Sequence, residues 1–163
     1  MALESFALAG GEFRLRRAVE SDIAGIVELL ANDQLRAAGE SLALERRAPY
    51  LAAFRVIDAD PAHLLCVVED SGARVVATMQ LTILPGLARS GATRLHLEAV
   101  RVADELRGKG LGSAMIQWAV EEGRRRGATL VQLTSDRSRV DAHHFYERLG
   151  FVQSHAGFKM QLD

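Results

Sequence analysis

One cysteine, three prolines, no excess of either charge and no long apolar run: the chain is first defined by what it has little of. A single cysteine, Cys66, excludes an intrachain disulfide and gives no sign of an oxidising compartment. Three prolines and 14 scattered glycines form no linker or low-complexity stretch, and no internal repeat is visible. Twenty Lys and Arg stand against 21 Asp and Glu, a formal net charge of −1. That balance argues against a dedicated nucleic-acid binder, which usually shows a basic excess, though it leaves room for a local basic patch. The apolar runs fall far short of the ~20 residues that a membrane span needs. The start, Met1 to Phe6, lacks a basic region followed by a long apolar core. The expected location is cytoplasmic, with no membrane partner.

What is present is ordinary for a globular chain. Hydrophobic residues make up 48% and charged residues 25%. These values exclude a disordered chain, a collagen-like chain and a coiled-coil rod. A length of 163 residues fits a single domain over residues 1–163. Such a chain buries about 68–70% of its unfolded surface, enough for a core without staples.

Periodicity divides the chain. Residues 12–19 read as a strand. Ser21 can cap a following helix that carries Ile23, Ile26, Val27 and Leu30 on one face. Residues 32–47 are polar and irregular, and Pro49 suits the first turn of a helix running to Ile57. Residues 63–69 and 74–84 read as an antiparallel hairpin, and 94–102 as a further strand. Leu111, Ala114, Met115, Trp118 and Ala119 form one apolar face of a helix from Gly110 to about Arg126, which Gly127 ends. Residues 130–134 read as a strand and 141–149 as a short helix. Residues 151–154 and 158–162 read as two closing strands. The order is β, α, α, β, β, β, α, β, α, β, β. It is an α/β chain around one sheet, with a locally parallel unit over residues 94–134.

Between strand and helix lies Arg107-Gly108-Lys109-Gly110-Leu111-Gly112-Ser113. Three glycines in five residues let the backbone approach a ligand closely. The first N–H groups of the following helix have no partner within it. Those donors, the helix dipole, Arg107 and Lys109 together suit a phosphate. A flexible helix entry with solvated charges is the plainer reading of such a turn. The spacing fails Gly-x-x-x-x-Gly-Lys-Ser/Thr, because Lys109 is followed by Gly110. It also fails Gly-x-Gly-x-x-Gly, whose third glycine is misplaced here.

What does fit is Arg/Gln-x-x-Gly-x-Gly/Ala, at Arg107, Gly110 and Gly112. It follows a strand ending Glu98-Ala99-Val100-Arg101-Val102 and precedes Phe145-Tyr146-Glu147-Arg148-Leu149-Gly150-Phe151. In that order and spacing the segments strongly resemble the GNAT superfamily of N-acetyltransferases. The resemblance in element order covers nearly the whole chain, and its specific motifs lie between Arg94 and Phe151. It implies a mixed, mostly antiparallel sheet with a central, splayed parallel strand pair flanked by helices. It also implies acetyl-CoA as co-substrate, with no metal. By the same resemblance, Val100 and Val102, with Arg101 between them, offer backbone hydrogen bonds to the pantetheine arm. Backbone N–H groups of Arg107, Gly108, Lys109, Gly110, Leu111, Gly112 and Ser113 hold the pyrophosphate. The family often has an asparagine after the strand at 130–134. Here the loop reads Ser135-Asp136-Arg137-Ser138-Arg139-Val140, so that contact falls to Ser138, Arg139 or neither.

Acetyl transfer to an amine needs a base, a donor for the developing oxyanion and a proton for the thiolate. The resemblance makes Tyr146 the acid and Glu98 the base, with His96 in reserve. Strand alternation sets Arg94, His96, Glu98, Val100 and Val102 on one side of their strand. Core packing is the plainer role for Tyr146, and an ion pair with Arg94 or binding of a substrate cation is the alternative for Glu98. Cys66 in an apolar strand reads as a buried structural thiol, and Trp118 as core. Adjacent His143 and His144 point in different directions from a helix, which does not suit a shared metal. Arg124 to Arg126 complement the end of a helix dipole.

The expected function is transfer of acetyl from acetyl-CoA to a primary amine of a small molecule or peptide, in a ternary complex. A non-catalytic acyl-CoA sensor and a nucleotide binder are the rivals. The acceptor pocket is expected in residues 32–50, 84–94 and the C-terminal hairpin. Arg36, Arg46, Arg47, Arg89 and Arg94 there suit an acceptor carrying an anionic group, while Glu40 and Glu45 oppose it. Members of the family often dimerise, so a homodimer is allowed.

Overall fold

A computed structural model describes residues 2–32 and 44–162, the side chains of 44–47 excepted. The expectations placed on Arg36, Glu40, Glu45, Arg46 and Arg47 lie outside the described side chains. The chain divides into two compact units, residues 1–132 and 133–163.

The first unit is built on strands β1 (Ala2–Leu8), β2 (Gly11–Arg17), β3 (His63–Asp70), β4 (Val75–Leu84), β5 (Arg94–Val102) and β6 (Leu130–Leu133). They lie side by side in chain order in one sheet, and β1 to β5 pair antiparallel. Helix α1 spans Ile23–Ala31, α2 Leu44–Ala59 and α3 Leu111–Arg125. The α3 crossover returns the chain to β6 beside β5, which makes that pair parallel and the sheet mixed.

Each sheet face has its own core. On one, Leu65 and Val67 of β3 meet Ala18, Ile23, Ile26, Val27 and Phe54 from the α1–α2 side. Helix α3 contributes Leu111, Met115, Ile116, Trp118 and Ala119, all buried, so the sequence periodicity and the core reading of Trp118 hold. Gly123 lets α3 lie against β5: a Cβ there would stand 2.9 Å from Leu95 Cδ2. Cys66 is fully buried in β3, and burial pushes its thiol up to about 12, so it is inert as a nucleophile. Arg124, Arg125 and Arg126 each pair with Glu121 or Glu122 one helical turn back, so the triple arginine is not an open basic patch.

A charged cluster ties β2 to β3 and to the entry of α1. Glu69, 4% exposed, accepts from Arg14 and Arg16, and Arg16 reaches Asp22 at 2.7 and 2.9 Å. Asp22 also accepts from the Val19 amide at 2.8 Å. Burial works to raise both carboxyls, but hydrogen bonds from the arginines hold them below the ordinary carboxylate range. A carboxyl lowered by folding stabilises above its unfolded value and loses that contribution as pH falls through the folded value. Melting temperature is therefore expected to stay level from pH 7 to about 5 and to fall progressively below about 4. A pH series of melting curves checks this; a level profile down to pH 3 would contradict it.

Three sequence expectations are corrected. The sheet has an extra strand, β1, on the outer edge of β2. Helix α2 begins at Leu44, so Pro49 lies inside it rather than in its first turn. Residues 151–162 form no strand, although Phe158, Met160 and Leu162 alternate as a strand would. These three side chains are 84% or more exposed, and among the described residues no strand pairs with them. Consequently the β5–β6 pair ends the sheet instead of lying at its centre. The second unit carries α4 (Val140–Arg148).

Candidate active site

Strand β5 is regular to Glu98 and then bulges. Its register on β4 passes from Gln80–Glu98 to Thr78–Arg101, so Met79 faces two residues, Ala99 and Val100. Ala99 takes up the bulge at φ 51°, a left-handed conformation that strains a residue with a Cβ by about 1–2 kcal/mol. The bulge corrects the simple alternation. Arg94, His96 and Glu98 do share a face, but beyond the bulge Arg101 joins them, and Val102 turns to the side of Ala77. A guanidinium N–H of Arg101 donates to the Val100 carbonyl at 2.7 Å.

Strand β6 covers only the first part of β5. Thr129 N donates to Thr93 O at 2.9 Å, and Gln132 reaches His96, after which β6 ends at Leu133. Residues 98–102 run on past it for roughly 15 Å. The bulge falls in that overhang.

The glycine turn follows directly. Gly108 and Gly110 have φ 74° and 91°, conformations that favour glycine. Gly110 is the N-terminal cap of α3 and, as glycine, supplies no capping side chain to the helix start. Residues 107–110 are exposed. Arg107 pairs with Asp104 at 2.7 Å, and Lys109 packs beside Gly10 of the β1–β2 turn. Open helix-start amides, an exposed turn and two cations suit a phosphate or pyrophosphate.

A polar row crosses the face that carries Glu98. His63, Thr82 and His96 are in register across β3, β4 and β5. His63 Nδ1 lies 3.0 Å from the Thr82 hydroxyl. Gln132 Nε2 lies 3.4 Å from His96 Nδ1, and His96 Nε2 lies 3.9 Å from Glu98 Oε1. Thr82 and Gln132 escaped the sequence reading. Their signal was present: Thr78, Gln80 and Thr82 put a polar residue at every second position of an apolar strand, and Gln132 interrupts Leu130-Val131 and Leu133.

The 85–93 connection holds Arg89 and Ser90 at φ 55° and 58°, followed by Gly91 at 80°. Its turn is closed by Gly91 N to Leu87 O and Ala92 N to Ala88 O, both 3.2 Å. Leu87 is 99% exposed. Strain of this kind collects where a loop meets a ligand.

In the second unit Tyr146 is half-buried on α4, edge-on to Phe145 and Phe151 at 5.1 and 5.7 Å between ring centroids. The 135–140 loop folds on itself. Ser138 donates its amide and its hydroxyl to Asp136 Oδ1, and His143 Nε2 lies 2.8 Å from the Asp136 carbonyl. A carbonyl only accepts, so Nε2 of His143 carries the proton.

Known proteins resemble this chain in sequence and in fold. The sequence pattern of the Acetyltransferase (GNAT) family matches residues 27–151. Aminoalkylphosphonate N-acetyltransferase of Salmonella typhimurium is 41% identical over 67 residues, 41% of this chain and 44% of that protein. Glucosamine 6-phosphate N-acetyltransferase of Trypanosoma brucei brucei is 38% identical over 78 residues, 48% of this chain and 51% of that one. The matched stretches thus span about half the length of these curated relatives. A transcriptional regulator from Bacillus halodurans C-125 superposes with a TM-score of 0.87 at 38% identity, over 92% of this chain and 99% of that one. Among the described residues no helix is long and apolar enough to cross a membrane.

Proposed function

Because the chain belongs to the GNAT family of acetyltransferases, we propose that it transfers acetyl from acetyl-CoA to the primary amine of a small molecule. The observation that carries this reading is the exposed Gly108–Gly110 turn at the start of α3, directly after the bulged overhang of β5. The family match runs across both compact units, which supports one acetyltransferase domain over residues 1–163.

In this reading the amides of Gly108 and of Gly110 to Ser113 hold the pyrophosphate; those expected of Arg107 and Lys109 already donate to the carbonyls of Asp104 and Leu106 at 3.1 and 3.3 Å. The bulged stretch Val100, Arg101 and Val102 offers backbone groups to the pantetheine arm, and an amide at the bulge stabilises the developing oxyanion. Both reactants sit in one complex. The amine nitrogen attacks the acetyl carbon, the carbon–sulfur bond breaks, Glu98 takes the amine proton, and Tyr146 protonates the thiolate. No covalent acyl-enzyme is needed, in keeping with an inert Cys66.

The two named N-acetyltransferases take substrates that couple an amine to a phosphonate or a phosphate. We extend that class to this chain: an amine with an anionic group. Arg94, on the Glu98 face, and Arg89, in the strained 85–93 turn, are its candidate partners.

A thermal-shift panel tests the reading. Acetyl-CoA or CoA at 100 times its dissociation constant adds about 2.7 kcal/mol, a rise of roughly 5–10 °C, whereas ATP and NAD give none. Gly110→Val forces a β-branched residue to φ 91° and weakens acetyl-CoA binding by roughly 10–100-fold. Thiol release then follows with aminoalkylphosphonates or glucosamine 6-phosphate and not with amines lacking the anion. Binding without turnover of any amine would leave an acyl-CoA sensor; no shift with either thioester or thiol would remove the reading altogether.

A further inference from the structure

We infer that His96 and Gln132 are positioning residues for Glu98, and that His96 is not an alternative base. The inference rests on the proposed role of Glu98 and adds what holds it. Gln132 Nε2 can only donate, so at 3.4 Å it occupies the lone pair of His96 Nδ1. The remaining proton of the neutral ring then sits on Nε2, which faces Glu98 Oε1 at 3.9 Å. At 3.9 Å this is longer than a hydrogen bond, so a ring whose side chain is 18% exposed presents its N–H dipole toward a carboxylate that is 54% exposed. The chain of contacts runs from β6 through β5: amide to imidazole to carboxylate. With Nδ1 engaged and Nε2 protonated, His96 has no free lone pair to take a proton from an amine.

Across β4 the residues facing His96 and Glu98 are the uncharged Thr82 and Gln80. His63 lies one strand further, on Thr82. Arg94 and Arg101 are the charged neighbours on the same face of β5. Helix α1 carries a single charge, Glu28, which is exposed.

The test reads the tautomer first, without any substrate. The protein has five histidines, and long-range proton–nitrogen spectra of the 15N-histidine-labelled chain assign His96 by its loss in His96→Asn. The expected wild-type state is the Nε2–H tautomer. Gln132→Leu should yield a mixture, and Gln132→Glu, which can only accept, should turn the ring to Nδ1–H. A wild-type Nδ1–H ring, or a tautomer indifferent to both substitutions, overturns the inference. Kinetics follow with the best acceptor. His96→Asn and Gln132→Leu should lower kcat by roughly 10–100-fold, hold the acetyl-CoA KM within about twofold and keep the acid limb of the pH–rate profile. Loss of that limb in His96→Asn would make His96 the base and overturn the inference while sparing the acetyltransferase reading. Full activity in Glu98→Gln would instead remove the base role of Glu98, whatever the tautomer.

Discussion

Glu98→Gln is expected to lower kcat by roughly 100- to 10,000-fold while leaving the dissociation constant for acetyl-CoA unchanged. The glutamine keeps the shape of the side chain and can still meet His96 Nε2–H with its carbonyl. What it loses is the ability to take a proton. The amine must shed one as its bond to the acetyl carbon forms, so the loss appears in the chemical step rather than in binding. Its position agrees with that division. Glu98 is the last regular residue before the bulge, and its side chain is 54% exposed, open to an acceptor. The glycine turn at residues 107–113, proposed to hold the pyrophosphate, is separate from it along the chain and keeps its geometry. Steady-state kinetics beside isothermal titration checks the split. The acid limb of the pH–rate profile should vanish with the carboxylate. A variant within tenfold of the wild-type kcat would exclude Glu98 as the base.

Arg16→Ala is expected to have the largest effect on stability, about 3–5 kcal/mol at pH 7. Arg16 is the shared partner of two carboxylates whose side chains are only 5% and 7% exposed, Glu69 and Asp22. Removing it leaves both negative and close together in the folded state. Arg14 still reaches Glu69, but its side chain is 58% exposed, so water screens much of its contribution. For a chain of this size the melting temperature should fall by roughly 6–20 °C. The deficit should shrink in acid, because protonation of Glu69 and Asp22 removes the charges that Arg16 offsets. Arg14→Ala should cost less than about 1 kcal/mol. Parallel melting curves of both variants from pH 7 to pH 3 test the argument. Equal losses, or a deficit that does not narrow with pH, would contradict it.

The two variants separate the parts of the molecule that were legible in different ways. The Gly108–Gly110 turn and helix α3 could be read because both are local. Leu111, Met115, Trp118 and Ala119 recur at helical spacing, and all four are buried. The glycines stand where the backbone takes φ 74° and 91°. The hairpin of β3 and β4 was legible for the same reason, through its turn at residues 70–74. Asp70 there accepts from the Gly72 and Arg74 amides, each at 3.0 Å.

The Ala99 bulge was not legible. Alanine gives no sign of a left-handed backbone, and the bulge exists only because β4 and β5 pair with one residue more on one side. Strand β1 was missed because it is an edge strand, mostly exposed, with no clean alternation over Ala2–Leu8. Phe158, Met160 and Leu162 err the other way, since alternation makes a segment fit to pair without supplying a partner.

By itself, then, the sequence determined the helices of strong periodicity, the turns, the glycines of left-handed backbone at 108 and 110 and, through Arg107 to Phe151, the family. All of these depend on residues near one another in the chain. Tertiary structure alone decided the register that brings Gln132 to His96, the bulge that turns Arg101 onto the Glu98 face, and the burial of Glu69 beside Arg16. Each of these depends on hydrogen bonds and charge pairs between strands distant in sequence. Their free energy exists only once the sheet has closed around them.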